Sequence, residues 1–505
     1  MPIEAPSADH VMEIAASFGM DLTEDDAKSF AGLLKGLKGS YDRLDRMVEP
    51  KPEVKYARTT GAQPSAEKNP HNAWAWKSTI KGASKGVLAG KKIAVKDNVC
   101  VAGLPMRNGS RVLENYVPDV DATVITRILD AGGTILGKTV CEDLCFSGGS
   151  HTSKPAPVRN PRKPTHSAGG SSSGSAAVIA TGEVDAALGG DQGGSIRMPA
   201  CWTGVYGLKA THGLVPYTGV MPIEPTLDHC GPMGATVEDV ARLLTAIAGP
   251  DHRDPRQIDC KTQDYLSGLQ KGVKGLKIAV VKEGFDCADS QAAVDRKVKQ
   301  ALQQLVSRGA KVEEVSIPMH TAGFDIWSGI IVEGATETMI KGNGLGHGWE
   351  GTYTTSLLDA YARGWRSRPN DMAETVKMVL FMGEYLHRYY HGRYYAKAQN
   401  LKWALRQAYD DVLAKYDLLA MPTVRFVATP IPDDDRPREE YIARALDMVA
   451  NTCPFDASGH PGMNVPCGME EGLPVGLMLV GRRYDEATIL RAAAAFEKLG
   501  NWMDM

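Results

Sequence analysis

Apolar residues near the start of the chain recur at helical spacing. Thr23 precedes Glu24, Asp25 and Asp26, and Phe30, Leu33, Leu34, Leu37, Tyr41 and Leu44 follow along one stripe. A hydroxyl at the N-cap and carboxylates in the first turn suit the positive end of a helix dipole, so the chain up to about residue 47 is expected to be helical. From Glu49 to Pro70 the periodicity lapses, and Pro50, Pro52, Pro64 and Pro70 stand among polar residues. This stretch reads as a linker. It separates an N-terminal helical domain with its linker, residues 1–75, from a larger domain, residues 76–505.

Beyond residue 76 short apolar runs alternate with amphipathic helical patterns. Strands are expected at Lys92 to Val95, Thr134 to Leu136 and Leu276 to Val281, and again around Val465 and Leu477. Helices are expected at Ala122 to Ala131, Ser173 to Thr181 and Val237 to Ala248. A long helical tract runs from Met372 to Leu418 with a break near Gly392. Such alternation predicts an α/β fold with a mixed, buried β-sheet covered by helices on both faces.

Composition changes this picture little. With 505 residues, 43% hydrophobic and 23% charged, the chain has room for one large domain and a small one. A net charge of −3 offers no electrostatic attraction for nucleic acid or an acidic membrane. The opening residues, MPIEAPSADH, lack the basic and apolar regions of a secretory leader, and no apolar run is long enough to span a bilayer. A cytoplasmic protein is expected. Nine scattered cysteines form no CxxC pair, so no zinc or redox motif is indicated.

The chemistry concentrates in Gly169 to Ala200, where two glycine-flanked serine clusters, GGSSSGS and GGSIR, bracket a small-residue segment. Glycines let backbone approach a reacting carbonyl and leave amide N–H groups free to face it. Three other motifs fail on context. Gly170, Ser172 and Gly174 fit a nucleophile elbow, but NPRKPTHSA before them is no buried strand. Gly132, Gly137, Lys138 and Thr139 fit a phosphate loop, yet a helix precedes them and the intervening residues read as a strand. His387 and His391 stand four apart without the glutamate a metalloprotease helix carries.

Ser171 and Ser195 lie 24 residues apart, Asp191, Gln192, Gly193 and Gly194 lead into Ser195, and Lys96 stands upstream in KKIAVKDN. With GVYGLKATHGLVP and DHCGPM downstream, the chain resembles the amidase signature family, densely over residues 85–250 and more weakly after them. The resemblance implies a Ser–Ser–Lys triad: Ser195 as nucleophile, Ser171 as bridge after a cis Gly170–Ser171 peptide, and Lys96 as base. Burial disfavours a charged lysine, and only a neutral amine can take a proton. It further implies an oxyanion hole of Gln192, Gly193, Gly194 and Ser195 amides, and substrate contacts from Phe146, Gly170 and Asp191. Asp191 and Arg197 suit a purely structural ion pair equally well.

No metal or cofactor is expected, and with no matching Cys–His pair, thiol reagents are expected to leave activity intact. The N-terminal helices and the DQGGS loop are similar to those of the enantioselective amidases that accompany nitrile hydratases. These act on aliphatic and aromatic monocarboxylic amides and are usually homodimers. The alternatives are the glutaminase subunit of a tRNA-dependent amidotransferase and a non-catalytic binding protein; the intact triad residues disfavour the latter.

Overall fold

The computed structural model describes residues 3–433 and 435–505, which separate into a first unit ending at Glu53 and a second, Val54–Met505. In the first unit α1 (Ala8–Ser17) packs with α2 (Glu24–Arg46). Thr23 caps α2 as expected: its hydroxyl accepts from Asp26 N, and Asp26 Oδ2 accepts from Thr23 N, each at 3.1 Å. Along the stripe Phe30, Leu33, Leu37, Tyr41 and Leu44 remain about half or more exposed, up to 70% at Leu33. The first unit ends well before residue 75, because the chain from Val54 on belongs to the larger body. Tyr56 bonds Asp130 at 2.7 Å, Arg58 pairs with Asp121 at 2.9 Å, and Arg58 and Ala62 bridge to Ile80 and Lys77.

The second unit is built on an 11-stranded mixed sheet. Its strands are β1 (Trp74–Lys81), β2 (Lys92–Lys96), β3 (Thr134–Thr139), β4 (Ala186–Asp191), β5 (Tyr206–Lys209), β6 (His229–Gly234), β7 (Lys277–Val281), β8 (Lys311–Val315), β9 (Leu418–Pro422), β10 (Gly462–Glu470) and β11 (Leu473–Gly481). They lie in the order β1-β3-β2-β4-β6-β5-β10-β11-β9-β7-β8. Two parallel groups, β3-β2-β4 and β9-β7-β8, are joined through antiparallel strands. The α/β expectation holds, and most expected strands and helices appear with ends moved by a few residues; the long helical tract stops at Leu413, and Leu418, placed at its end, instead opens β9. The phosphate-loop lookalike is β3 itself, where Lys138 forms a buried ion pair with Asp97 at 3.0 Å. No helix among the described residues is long and apolar enough to cross a membrane.

The first helices of this body are α3 (Thr123–Asp130), α4 (Ser173–Ala180), α5 (Arg197–Thr203), α6 (Val237–Ile247), α7 (Ala292–Ser307) and α8 (Gly323–Ala335). Side-chain alternation divides β2 between two cores. Ile93 and Val95 belong to the same apolar cluster as Val124, Ile125 and Ile128 of α3, whereas Ala94 belongs to a second cluster with Ala176 and Ala177 of α4. Helix α4 is made of small residues because it lies directly on backbone. Gly174 N donates to Val140 O at 2.9 Å, and a β-carbon there would strike the carbonyl oxygen of Ala73 and lie 2.7 Å from Val140 N.

Gly174→Ala is therefore expected to overpack the layer and destabilise the fold by about 1–3 kcal/mol, seen as a lower thermal midpoint. An unchanged midpoint would show that α4 can move off the sheet freely.

Candidate active site

Lys96 ends β2, and the same alternation that turns Ala94 toward α4 turns Lys96 there too. Because β2 and β4 are parallel neighbours, their C-terminal ends open at one edge of the sheet, where α/β proteins place ligands. Lys96 is fully buried; its Nζ donates to Ser171 Oγ at 2.8 Å and to the Gly190 carbonyl of β4 at 3.1 Å. Ser171 follows a cis peptide after Gly170 and leads into α4. Ser195 leads into α5, which packs on α4, and Ser172 N donates to Ser195 O at 3.2 Å. The lysine leg of the candidate triad is thus hydrogen-bonded. No hydrogen bond joins the Ser171 and Ser195 hydroxyls among the described residues.

The loop before Ser195 is wrapped around Asp191, the last residue of β4. Its carboxylate accepts from Gly194 N at 2.5 Å, Ile196 N at 3.0 Å and Arg197 N at 3.4 Å, and from Arg197 Nε at 3.1 Å and Nη2 at 3.0 Å. Arg197 also donates to Asp456 at 2.6 Å and to Thr452 O at 2.9 Å. All three charged groups are fully buried. Burial alone would push the Asp191 carboxyl up, but the guanidinium outweighs it and holds the group well below the usual range. Burial, then repulsion from Asp191, pushes Asp456 up.

Two expectations change here. The Asp191 carboxylate is absent from the wall of the cavity at Ser195 and is taken up by the loop amides and Arg197. Gly194 is not an open oxyanion donor, because its N–H is spent on Asp191. The Gln192, Gly193 and Ser195 amides donate to no protein acceptor among the described residues. A further interaction fixes Gly193: Trp327 Nε1 donates to Gln192 O at 2.6 Å.

Ser195 opens into a narrow cavity of about 40 Å³ lined by Cys145, Phe146, Ser147, Gly148, Gln192, Gly193, Met198, Ile223, Trp327, Ile331, Leu446 and Val449. Phe146 is in the wall; Gly170 is not, being packed against Glu142 and Ser147. The Gln192 side-chain amide turns sideways to Tyr217 Oη at 2.9 Å. Cys145 forms part of the wall, with Sγ 3.1 Å from Asn108 Oδ1. Burial would push its thiol up, but a hydrogen bond with Cys141 pulls it below the ordinary value. His387 is engaged elsewhere, 3.2 Å from Glu337, and no group of side chains suited to a metal ion occurs among the described residues.

The chain is similar to known proteins along most of its length. The amidase family profile matches residues 54–490. The chain is 45% identical to an enantioselective amidase of Rhodococcus rhodochrous over 98% of its own length and 96% of the relative's. It is 40% identical to a glutamyl-tRNA(Gln) amidotransferase subunit of Methanosarcina acetivorans, over 82% of this chain and 85% of that protein. The crystal structure of the corresponding Thermotoga maritima protein superposes with a TM-score of 0.69 at 32% identity, covering 85% of this chain and 88% of that one.

Replacing Arg197 by Met leaves Asp191 buried without its cation, a change expected to cost about 3–5 kcal/mol. The check is the denaturant midpoint of the variant. A wild-type midpoint would mean that the loop does not depend on this pair.

Proposed function

The chain belongs to the amidase signature family, and on that premise we propose that it hydrolyses monocarboxylic amides with apolar aliphatic or aromatic acyl groups to the acid and ammonia. The carrying observation is the cavity at Ser195, whose lining includes no charged side chain. A benzoyl or short alkyl group gains by entering such walls. The ammonium and carboxylate of glutamine would enter without a partner, and unpaired buried charge is costly. That weighs against the second reading, the glutaminase subunit of a tRNA-dependent amidotransferase, despite relatives of that name at 40% identity.

In this mechanism Ser195 Oγ attacks the amide carbon while its proton passes to Ser171 Oγ and the Ser171 proton passes to Lys96 Nζ. The Gln192, Gly193 and Ser195 amides take the oxyanion. Collapse breaks the C–N bond, and the proton returns through Ser171 to the leaving ammonia. Water then attacks the acyl-enzyme by the same relay and releases the acid. No cofactor enters. We place the reaction in the cytoplasm, which nine unpaired thiols suit, with nitrile hydration as the class of reaction that supplies the amide.

Ser195→Ala is expected to abolish turnover, and Lys96→Ala to lower kcat by about a thousandfold or more while the oxyanion donors leave residual rate, with Ser171→Ala milder. Steady-state assays on propionamide, benzamide and glutamine give the check. Glutamine as the preferred substrate, or undiminished activity in Ser195→Ala, would contradict the proposal.

We also propose that the exposed α2 stripe of Phe30, Leu33, Leu37, Tyr41 and Leu44 meets its counterpart in a homodimer. Light scattering is expected to show a dimer for the full chain and a monomer once the first unit is deleted. A monomeric full chain, or a dimer that survives the deletion, would contradict this.

A further inference from the structure

Trp327 touches the site twice. Its ring lines the acyl cavity beside Ile331, one turn further along α8. Its edge donates Nε1–H to the Gln192 carbonyl at 2.6 Å. The Gln192–Gly193 peptide is trans, so fixing its carbonyl oxygen on one side aims the Gly193 N–H to the other. The same bond polarises that peptide and strengthens the N–H as a donor. The neighbouring peptide is held alike: Thr452 Oγ1 lies 2.6 Å from the Gly193 carbonyl, and the Gly194 N–H on its far side meets Asp191. Close approach of the ring also explains Gly193, where a β-carbon would lie 2.8 Å from Trp327 Cζ2.

We propose that Trp327 is a positioning residue that holds the Gly193 amide on the oxyanion and couples its aim to the fit of the acyl group against the indole ring. The inference rests on the amidase reading of this site. An acyl group that seats flat on the ring leaves the indole hydrogen bond intact. One that displaces the ring loosens the Gly193 donor, so poor fit lowers kcat as well as raising KM. Acyl selectivity is thereby expressed in the chemical step.

Trp327→Phe keeps an aromatic wall and removes only the donor. On benzamide its kcat is expected to fall about tenfold or more with KM changed less than about threefold, since removing even a direct oxyanion donor costs about a hundredfold or more. Affinity for benzeneboronic acid, which forms a tetrahedral adduct on serine, should fall in step, while affinity for benzoate stays level. Thr452→Val is expected to act in the same direction and Thr452→Ser to restore the wild-type rate. A wild-type kcat in Trp327→Phe, or equal losses for boronate and benzoate, would overturn the inference, the latter by showing a merely structural wall. The comparison is made on whichever amide the wild-type enzyme turns over, so a mistaken acyl preference does not imitate a mistaken role for Trp327.

Discussion

One buried carboxylate organises the serine loop. Asp191 gathers the amides of Gly194, Ile196 and Arg197 and is itself held by the Arg197 guanidinium. With three amides taken up by Asp191, those of Gln192, Gly193 and Ser195 meet no protein acceptor among the described residues, and these are the donors the proposed mechanism uses. Burying an ion pair contributes little net stability but makes its loss severe, so the network sets geometry rather than strength. Asp456 and the Thr452 carbonyl complete the arginine's shell, tying the loop to a segment more than 250 residues away.

The sheet supplies the other half of the arrangement. Parallel pairing of β2 with β4 sets Lys96 against Gly190 O, and alternation turns its side chain toward the serines at the start of α4. Glycine and alanine prevail here because helix and sheet meet at backbone distance, as at Gly174. Polar chemistry therefore sits inside a packed core, and the cavity beyond Ser195 stays apolar because its far wall comes from α8 and from Leu446 and Val449.

Elements with a strong period were legible in the sequence. Helices α2, α3 and α6 carry clear apolar stripes, and β2 and β7 are short β-branched runs. Strands β4 and β6 were not: AALGGD and HCGPMG carry glycine and proline where strands usually carry branched residues, and only their neighbours in the sheet make them strands. The site divided similarly. Lys96, Ser171, Ser195 and Phe146 belong to local patterns. Trp327, Ile331, Thr452 and Asp456 come from distant segments and carry no signature of their own. The loss of Gly194 as a donor follows from where the Asp191 side chain turns, which no spacing reveals.

The account depends on a covalent acyl group forming on one serine. Mixing the protein with excess benzamide, quenching in acid during turnover and mapping the digest by mass spectrometry addresses this directly. A single benzoyl group on the peptide that carries Ser195, absent from the Lys96→Ala protein, is the predicted result. A benzoyl group on Cys145, or turnover with no acylated peptide at any quench time, would contradict it.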